Sequence, residues 1–206
     1  MKRFPAVYCF LLLLPLLFIN TAWSQNWEVK LLDNINPSNP TSSIWKASSS
    51  SVYPIALASP ISILAAGYIK KDKQLQYRGW EAVGALVINT AITQGLKYTV
   101  DRARPYEKYP TLIHPYQIDN DASFPSGHTS TAFATAASLS INFKKWYVVV
   151  PAYAWAASVG YSRLYLGEHY PTDVFAGAAI GVGSAYLSHW LNKKIMHPKH
   201  GTIGKI

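Results

Sequence analysis

The chain has 206 residues, half of them hydrophobic and 14% charged, with a formal net charge of +9. That length suits one domain with a proper core, and the charged fraction falls below the roughly 25% of an average soluble protein. The basic residues sit in short clusters between apolar stretches, not along one helix face or among stacking aromatics. That pattern excludes a nucleic-acid binder and fits loops flanking membrane spans.

The N-terminus has the grammar of an export signal. "MKRF" supplies positive charge, "AVYCFLLLLPLLFI" an apolar core, and "TAWSQ" places Ala22 and Ser24 ahead of a cut before Gln25. Residues 1–24 are therefore expected to be a signal peptide or, if uncleaved, an anchor helix. The one cysteine, Cys9, lies inside the apolar core, so a mature chain would carry no disulfide framework and no thiol chemistry. Residues 25–51 are polar and rich in Ser, Asn and Pro. They read as an exported linker with one short amphipathic helix around Trp27 to Ile35.

Residues 52–206 hold five apolar segments: Val52–Ile69, Gly79–Val100, Thr129–Asn142, Trp146–Gly160 and Val174–Leu191. The expected fold is all-α, a membrane-embedded bundle of about five spanning helices after the N-terminal signal or anchor. Some segments fall short of the roughly 20 residues that cross a bilayer, so a soluble bundle of five buried helices is the alternative. "GAAIG", Gly177 to Gly181, has the small-xxx-small spacing that lets helices approach closely. Loop charge favours the membrane. "KKDKQLQYR", Lys144–Lys145 and "NKKIMHPKHGTIGK" alternate with the other loops, and placing all three inside puts about ten Lys and Arg in the cytoplasm. The polar N-terminal stretch then lies outside.

On that topology the outer loops carry three unusual motifs. "KYTVDRARP" ends the second segment with Lys97 and Arg104, two helical turns apart. "PSGH" opens the third, where unpaired backbone N–H groups and the helix dipole favour an anion. Gly127 allows close approach there, and the Ser126 hydroxyl adds a donor. "SRLYLGEHYPTD" supplies Arg163, His169 and Asp173. With Asp173 four residues after His169, the carboxylate can take one imidazole proton and leave the other nitrogen free as a nucleophile. Three cations, a hydroxyl and free amides suit a phosphoryl group. His128 can protonate the departing oxygen as His169 attacks from the opposite side. No metal site is required if Lys97, Arg104 and Arg163 neutralise the charge. Taken singly, each motif also has a structural reading: snorkelling for Lys97 and Arg104, a surface pair of Arg163 with Glu168, a hydrogen bond between His169 and Asp173.

"K-x6-RP", "PSGH" and "SR-x5-H-x3-D", in this order, resemble the three signature motifs of the type 2 phosphatidic acid phosphatase superfamily, which also includes bacterial class A acid phosphatases and vanadium haloperoxidases. The resemblance covers Lys97 to Asp173 and implies a metal-independent phosphatase with no cofactor. It assigns the phosphohistidine to His169, the orienting carboxylate to Asp173 and the general acid to His128. It gives phosphate binding to Lys97, Arg104, Ser126, Gly127 and Arg163.

The long Gly-rich helix after Asp173 resembles the membrane branch, which implies a lipid phosphatase in a bacterial inner membrane with its site facing the periplasm. Candidate substrates are undecaprenyl pyrophosphate, phosphatidylglycerol phosphate, phosphatidic acid and a lipid A phosphate. A soluble exported acid phosphatase and an inactive membrane scaffold or lipid-binding protein are the alternatives. The connection from Tyr106 to Phe124 is long enough to recognise the rest of a substrate. Glu168, beside the nucleophile, would repel phosphate and is expected to turn away from the pocket. His114, His189, His197 and His200 read as structural.

Overall fold

A computed structural model of the chain describes residues 22–196, which contain helices and no strand. In chain order these are α1 (Ala22–Ile35), α2 (Ser43–Ser50), α3 (Val52–Ile69), α4 (Lys73–Val100), the single turn α5 (Pro105–Lys108), α6 (Gly127–Phe143), α7 (Trp146–Tyr165) and α8 (Pro171–Met196). The signal or anchor expectation, His197 and His200 lie outside the described residues.

Each of the five apolar segments lies within one long helix, and polar caps set the boundaries that apolarity leaves open. Asp72 caps α4 by accepting from Leu75 N at 3.1 Å, so α4 begins at Lys73 and absorbs the polar "KQLQYR". Asp101, in the left-handed region at φ 45°, ends α4 by donating its backbone N–H to Lys97 O. Ser126 caps α6. Pro171, with no N–H to leave unpaired, opens α8.

Helix α6 is the central element, packed against α4, α7 and α8. Its partners come close because the contact surfaces are small. A Cβ on Gly177 would stand 2.7 Å from Ser126 O, and one on Gly181 would overlap Ser130 O. The "GAAIG" spacing thus marks the α6–α8 contact.

The interior is small and polar while the exterior is large and apolar. Ala132, Ala136, Ala156 and Val159 form one cluster and Ala85, Ala137 and Ala185 another. Asn89, Thr93, Ser130, Thr135 and Ser184 are buried beside them, whereas Leu57, Ile61, Trp80, Val87, Phe175 and Trp190 are exposed. Lipid tails reward this arrangement and water does not. Two stretches, Val52–Ile69 and Pro171–Lys194, are long and apolar enough to cross a bilayer, and only 28% of each is buried. Helix α6, at 17 residues, is too short by that measure; polar, aromatic and charged side chains lower α4 and α7. Two spans, not five, stand on length and composition alone.

The stretch read as a polar linker contributes to the core. Leu32 of α1 packs with Tyr106 and Ile113. Asn36 donates to His114 O and Tyr165 O, both at 2.9 Å, and accepts from His114 N at 2.7 Å. Helix α2, "SIWKASSS", has no apolar run to announce it. It is held by Ser48 Oγ against Ser158 Oγ at 2.9 Å and by Arg163 on Ser49.

Candidate active site

The antiparallel helices bring the three motifs to one end of the bundle. Lys97 lies in the last turn of α4, Arg104 caps α5, His128 stands in the first turn of α6 and Arg163 in the last turn of α7. His169 sits in the α7–α8 connection and Asp173 in the first turn of α8. Ser126 N donates to Asp173 O at 3.1 Å, which fastens the start of α6 to that of α8.

Arg104, Arg163, His169 and Asp173 are almost wholly buried, and Lys97 nearly so. Buried cations need anionic partners, and here the partners come from the long connection. Asp121 pairs with Lys97 Nζ at 3.1 Å and with Arg104. Asp119 lies 3.0 Å from Arg104 Nη1 and 3.7 Å from Arg163 Nη2. The loop backbone adds Asp121 O, which accepts from Arg104 Nε at 2.9 Å, and Ala122 O, which accepts from Lys97. Three cations from separate elements thus converge on two carboxylates of one loop. Hydrogen bonds from Arg104 and the charge of Lys97 outweigh the burial of Asp121 and hold its carboxyl below the usual range. Arg163 Nε is buried without a hydrogen-bond partner among the described residues.

Glu168 does not turn away. Its carboxylate is fully buried and paired with Arg163, because a carboxylate with no access to water requires a cation. The Ser126 hydroxyl caps α6. It lies 2.9 Å from Thr129 Oγ1 and accepts from Thr129 N at 3.4 Å. At Gly127 a Cβ would meet only Thr93 Cγ2, at 4.0 Å, so no neighbouring protein atom demands a glycine there.

His169 Nδ1 stands 3.6 Å from Asp173 Oδ2, just beyond hydrogen-bond range. Burial, reinforced by Arg163 and Arg104, outweighs Asp173 and pulls the imidazole down to about 4, so the ring is neutral at ordinary pH. His128 lies within electrostatic reach of Arg163, His169 and Arg104, with its ring 5.1 Å from that of Tyr53.

Asp173 is itself fixed by residues outside the motifs. Arg102 Nη1 donates to its Oδ1 at 2.6 Å, and Ser123 Oγ and Tyr170 N donate to its Oδ2 at 2.5 and 2.9 Å. Arg102 also binds buried Glu28 of α1 at 2.7 Å and stacks on the Tyr170 ring, 3.9 Å from its centroid. Asp173 and Glu28 outweigh the burial of Arg102 and raise its pKa. Glu28, Arg102, Asp119, Asp121 and Ser123 lie outside the three motifs and did not stand out in the sequence. Arg102 was nearest to detection, two residues before Arg104 in "DRARP"; no linear spacing joins Glu28 to Asp173.

Among the described residues no group of three His, Cys, Asp or Glu side chains is arranged to hold a metal ion.

Residues 78–196 match the family model described as the PAP2 superfamily. The chain is 32% identical over 127 residues to an undecaprenyl-diphosphatase of Bacillus subtilis, covering 62% of each protein. It is 32% identical over 126 residues to a lipid A 1-phosphatase of Porphyromonas gingivalis, covering 59% of this chain and 25% of that one. The chain spans between a quarter and about three fifths of the length of these two relatives. Among solved structures, the transmembrane PAP2 type phosphatidylglycerolphosphate phosphatase from Bacillus subtilis shares the fold. Its TM-score is 0.63 at 22% identity, covering 94% of this chain and 98% of that one. LpxE of Aquifex aeolicus gives 0.54 at 22% identity, covering 80% and 95%.

Proposed function

Because the chain belongs to the PAP2 superfamily, we propose that it is a membrane-embedded lipid phosphatase that hydrolyses a phosphomonoester or pyrophosphate through a phosphohistidine on His169. The observation that carries this reading is the convergence of Lys97, Arg104 and Arg163 on Asp119 and Asp121, beside a neutral imidazole. Two carboxylates bound to three buried cations stand in for the oxygens of a phosphoryl group. The donor set is the one that stabilises charge on the equatorial oxygens during transfer.

In the proposed cycle, lipid phosphate displaces the two aspartates from the cations. His128 takes up a proton as the anionic phosphate enters; His169 Nε2, the nitrogen away from Asp173, then attacks phosphorus while His128 gives that proton to the departing lipid oxygen. His128 then takes a proton from water, the hydroxide attacks the phosphohistidine, and phosphate leaves with His169 neutral again. Lys97, Arg104 and Arg163 balance the developing charge, so EDTA is expected to leave the rate unchanged.

The exposed apolar faces of α3 and α8 support a membrane setting, since a soluble bundle would bury them. Loop charge supports a site on the exported side. Membranes washed with carbonate should retain the protein; its release would favour a soluble exported phosphatase. The relatives named above act on undecaprenyl pyrophosphate and lipid A, and the structural neighbour on phosphatidylglycerol phosphate. Phosphate release by the purified protein from these three and from phosphatidic acid, ranked by kcat/KM, tests the activity and identifies the substrate.

The lowered pKa of His169 sets the acid limb of the pH dependence. A protonated imidazole cannot attack, so kcat/KM should fall as pH drops through about 4, after correction for substrate titration. A free-enzyme acid limb near the ordinary histidine value would contradict a buried, neutral nucleophile.

Competition by the loop makes a second prediction. Asp119→Asn/Asp121→Asn should tighten inhibition by orthovanadate about three- to tenfold, as expected for losing two partly exposed ion-paired competitors. Unchanged or weaker inhibition would mean that the aspartates do not stand in the phosphate position.

A further inference from the structure

The opposite end of the bundle holds a second polar site. Glu81 lies 16 residues before Lys97 on α4, and His189 lies 16 residues after Asp173 on α8. At the helical rise these separations are about 24 Å, so the two sites share helices and no residues. Between the ends of α4, α6 and α8 opens a cavity of about 740 Å³ whose lining includes Lys73, Arg78, Lys144 and Lys193.

Its floor is a buried carboxylate, and the carboxylate is already satisfied. Glu81 accepts from Asn142 Nδ2 at 3.1 Å and Asn192 Nδ2 at 3.2 Å, with His189 Nδ1 at 3.0 Å. Ser188 Oγ donates to its backbone oxygen at 2.7 Å. This network ties the three helix ends together and leaves four cations in the lining against one internally paired carboxylate; Lys73 reaches Gln76 Oε1 at 3.5 Å and Arg78 lies over the Phe143 ring, 5.8 Å from its centroid. The cations come from three elements, so their alignment does not follow from a charged helix face.

Exposed aromatics mark the depth at which the cavity sits. Trp80, Trp146 and Trp190 are all at least half exposed, and each is a near chain neighbour of a residue lining the cavity. Lys194 stacks over Trp190, 4.1 Å from its centroid. Tryptophan at the surface of a membrane helix belongs at the headgroup level, and basic pockets between helices on the cytoplasmic side suit anionic headgroups.

We propose that the cavity at the cytoplasmic end of α4, α6 and α8 binds the phosphate of an anionic phospholipid headgroup, with Arg78 and Lys144 as principal contacts. The inference takes its membrane setting from the function proposed above but uses none of its chemistry.

The test is thermal unfolding of the full chain in an uncharged detergent. It is titrated with phosphatidylglycerol, with phosphatidylcholine or with inorganic phosphate. Phosphatidylglycerol should raise the unfolding temperature and phosphatidylcholine should not; any stabilisation by inorganic phosphate belongs to the catalytic cations and should disappear in Lys97→Gln. Arg78→Gln/Lys144→Gln should need about thirtyfold more phosphatidylglycerol for the same shift, at roughly a factor of five per lost charge, whereas Lys97→Gln at the other end should respond like the parent protein. High salt should suppress the effect in the unaltered chain, which keeps the test decisive if the double variant does not fold. An unchanged response in the double variant, or a salt-insensitive shift, would overturn the site. Stabilisation of Lys97→Gln by inorganic phosphate as strong as that by phosphatidylglycerol would overturn its assignment to lipid. Loss of the effect in Lys97→Gln alone would place the bound lipid at the catalytic end. Because the readout is binding, failure of the phosphatase reading would leave this result intact.

Discussion

Replacement of His169 by alanine is expected to lower phosphate release by about 10⁴-fold or more, the order seen when an enzyme loses its nucleophile. The side chain is buried among groups that nothing else in the pocket replaces. Lys97, Arg104 and Arg163 are permanent donors, and Asp119 and Asp121 are held on those cations. The variant should keep the cations, so orthovanadate or phosphate should still protect it against thermal unfolding. Steady-state phosphate release, measured beside that protection, separates lost chemistry from lost folding. Near-native turnover would remove His169 from the mechanism.

The second large effect is expected at Asp173. An orienting carboxylate that loses its charge but keeps its shape can cost a histidine-dependent hydrolase about 10⁴-fold in kcat, and Asp173→Asn should fall within 10² to 10⁴-fold. The loss should appear in kcat with little change in KM, because Asp173 touches no proposed phosphate ligand. Its carboxylate is gripped by Arg102, Ser123 and the Tyr170 backbone, and Arg102 by Glu28. A smaller reduction, about tenfold, is therefore expected for Glu28→Gln, since Arg102 keeps Asp173 when its outer partner weakens. Recovery in Glu28→Asp would distinguish positioning from simple folding damage. If Asp173→Asn turned over normally, the contact between Asp173 and His169 would be structural only.

What the sequence disclosed and what it concealed follow from the range of each interaction. Helix α3 was legible end to end because its residues are apolar and its ends are polar. Helix α4 was read six residues short, since "KQLQYR" looks like loop until the Asp72 cap is seen. Helix α2 was missed: its serines and lysine carry no periodic signal, and its stability comes from α7. The motif residues stood out because their side-chain types at those spacings suit phosphoryl chemistry. Asp119, Asp121 and Ser123 lay in a connection expected to recognise the rest of a substrate and were not singled out, because their pairing with Lys97, Arg104 and Asp173 depends on how the loop folds back.

Two residues show how capping and burial add to a reading made from charge. The Ser126 hydroxyl, read as a phosphate donor, is also the cap of α6: its oxygen accepts from Thr129 N, and its own proton stays available to Thr129 Oγ1 or to an anion. Glu168 was expected to avoid the pocket on grounds of charge. Full burial reverses that argument, since the carboxylate must then sit against Arg163.

His169 and His128 are proposed to flank one phosphorus atom held by Lys97, Arg104 and Arg163, and a structure determined with orthovanadate tests this most directly. The expected result is vanadium bonded to His169 Nε2, its equatorial oxygens on the three cations, His128 at the opposite apical oxygen, and Asp119 and Asp121 displaced. Vanadate bound away from His169, or leaving both aspartates on the cations, would contradict it.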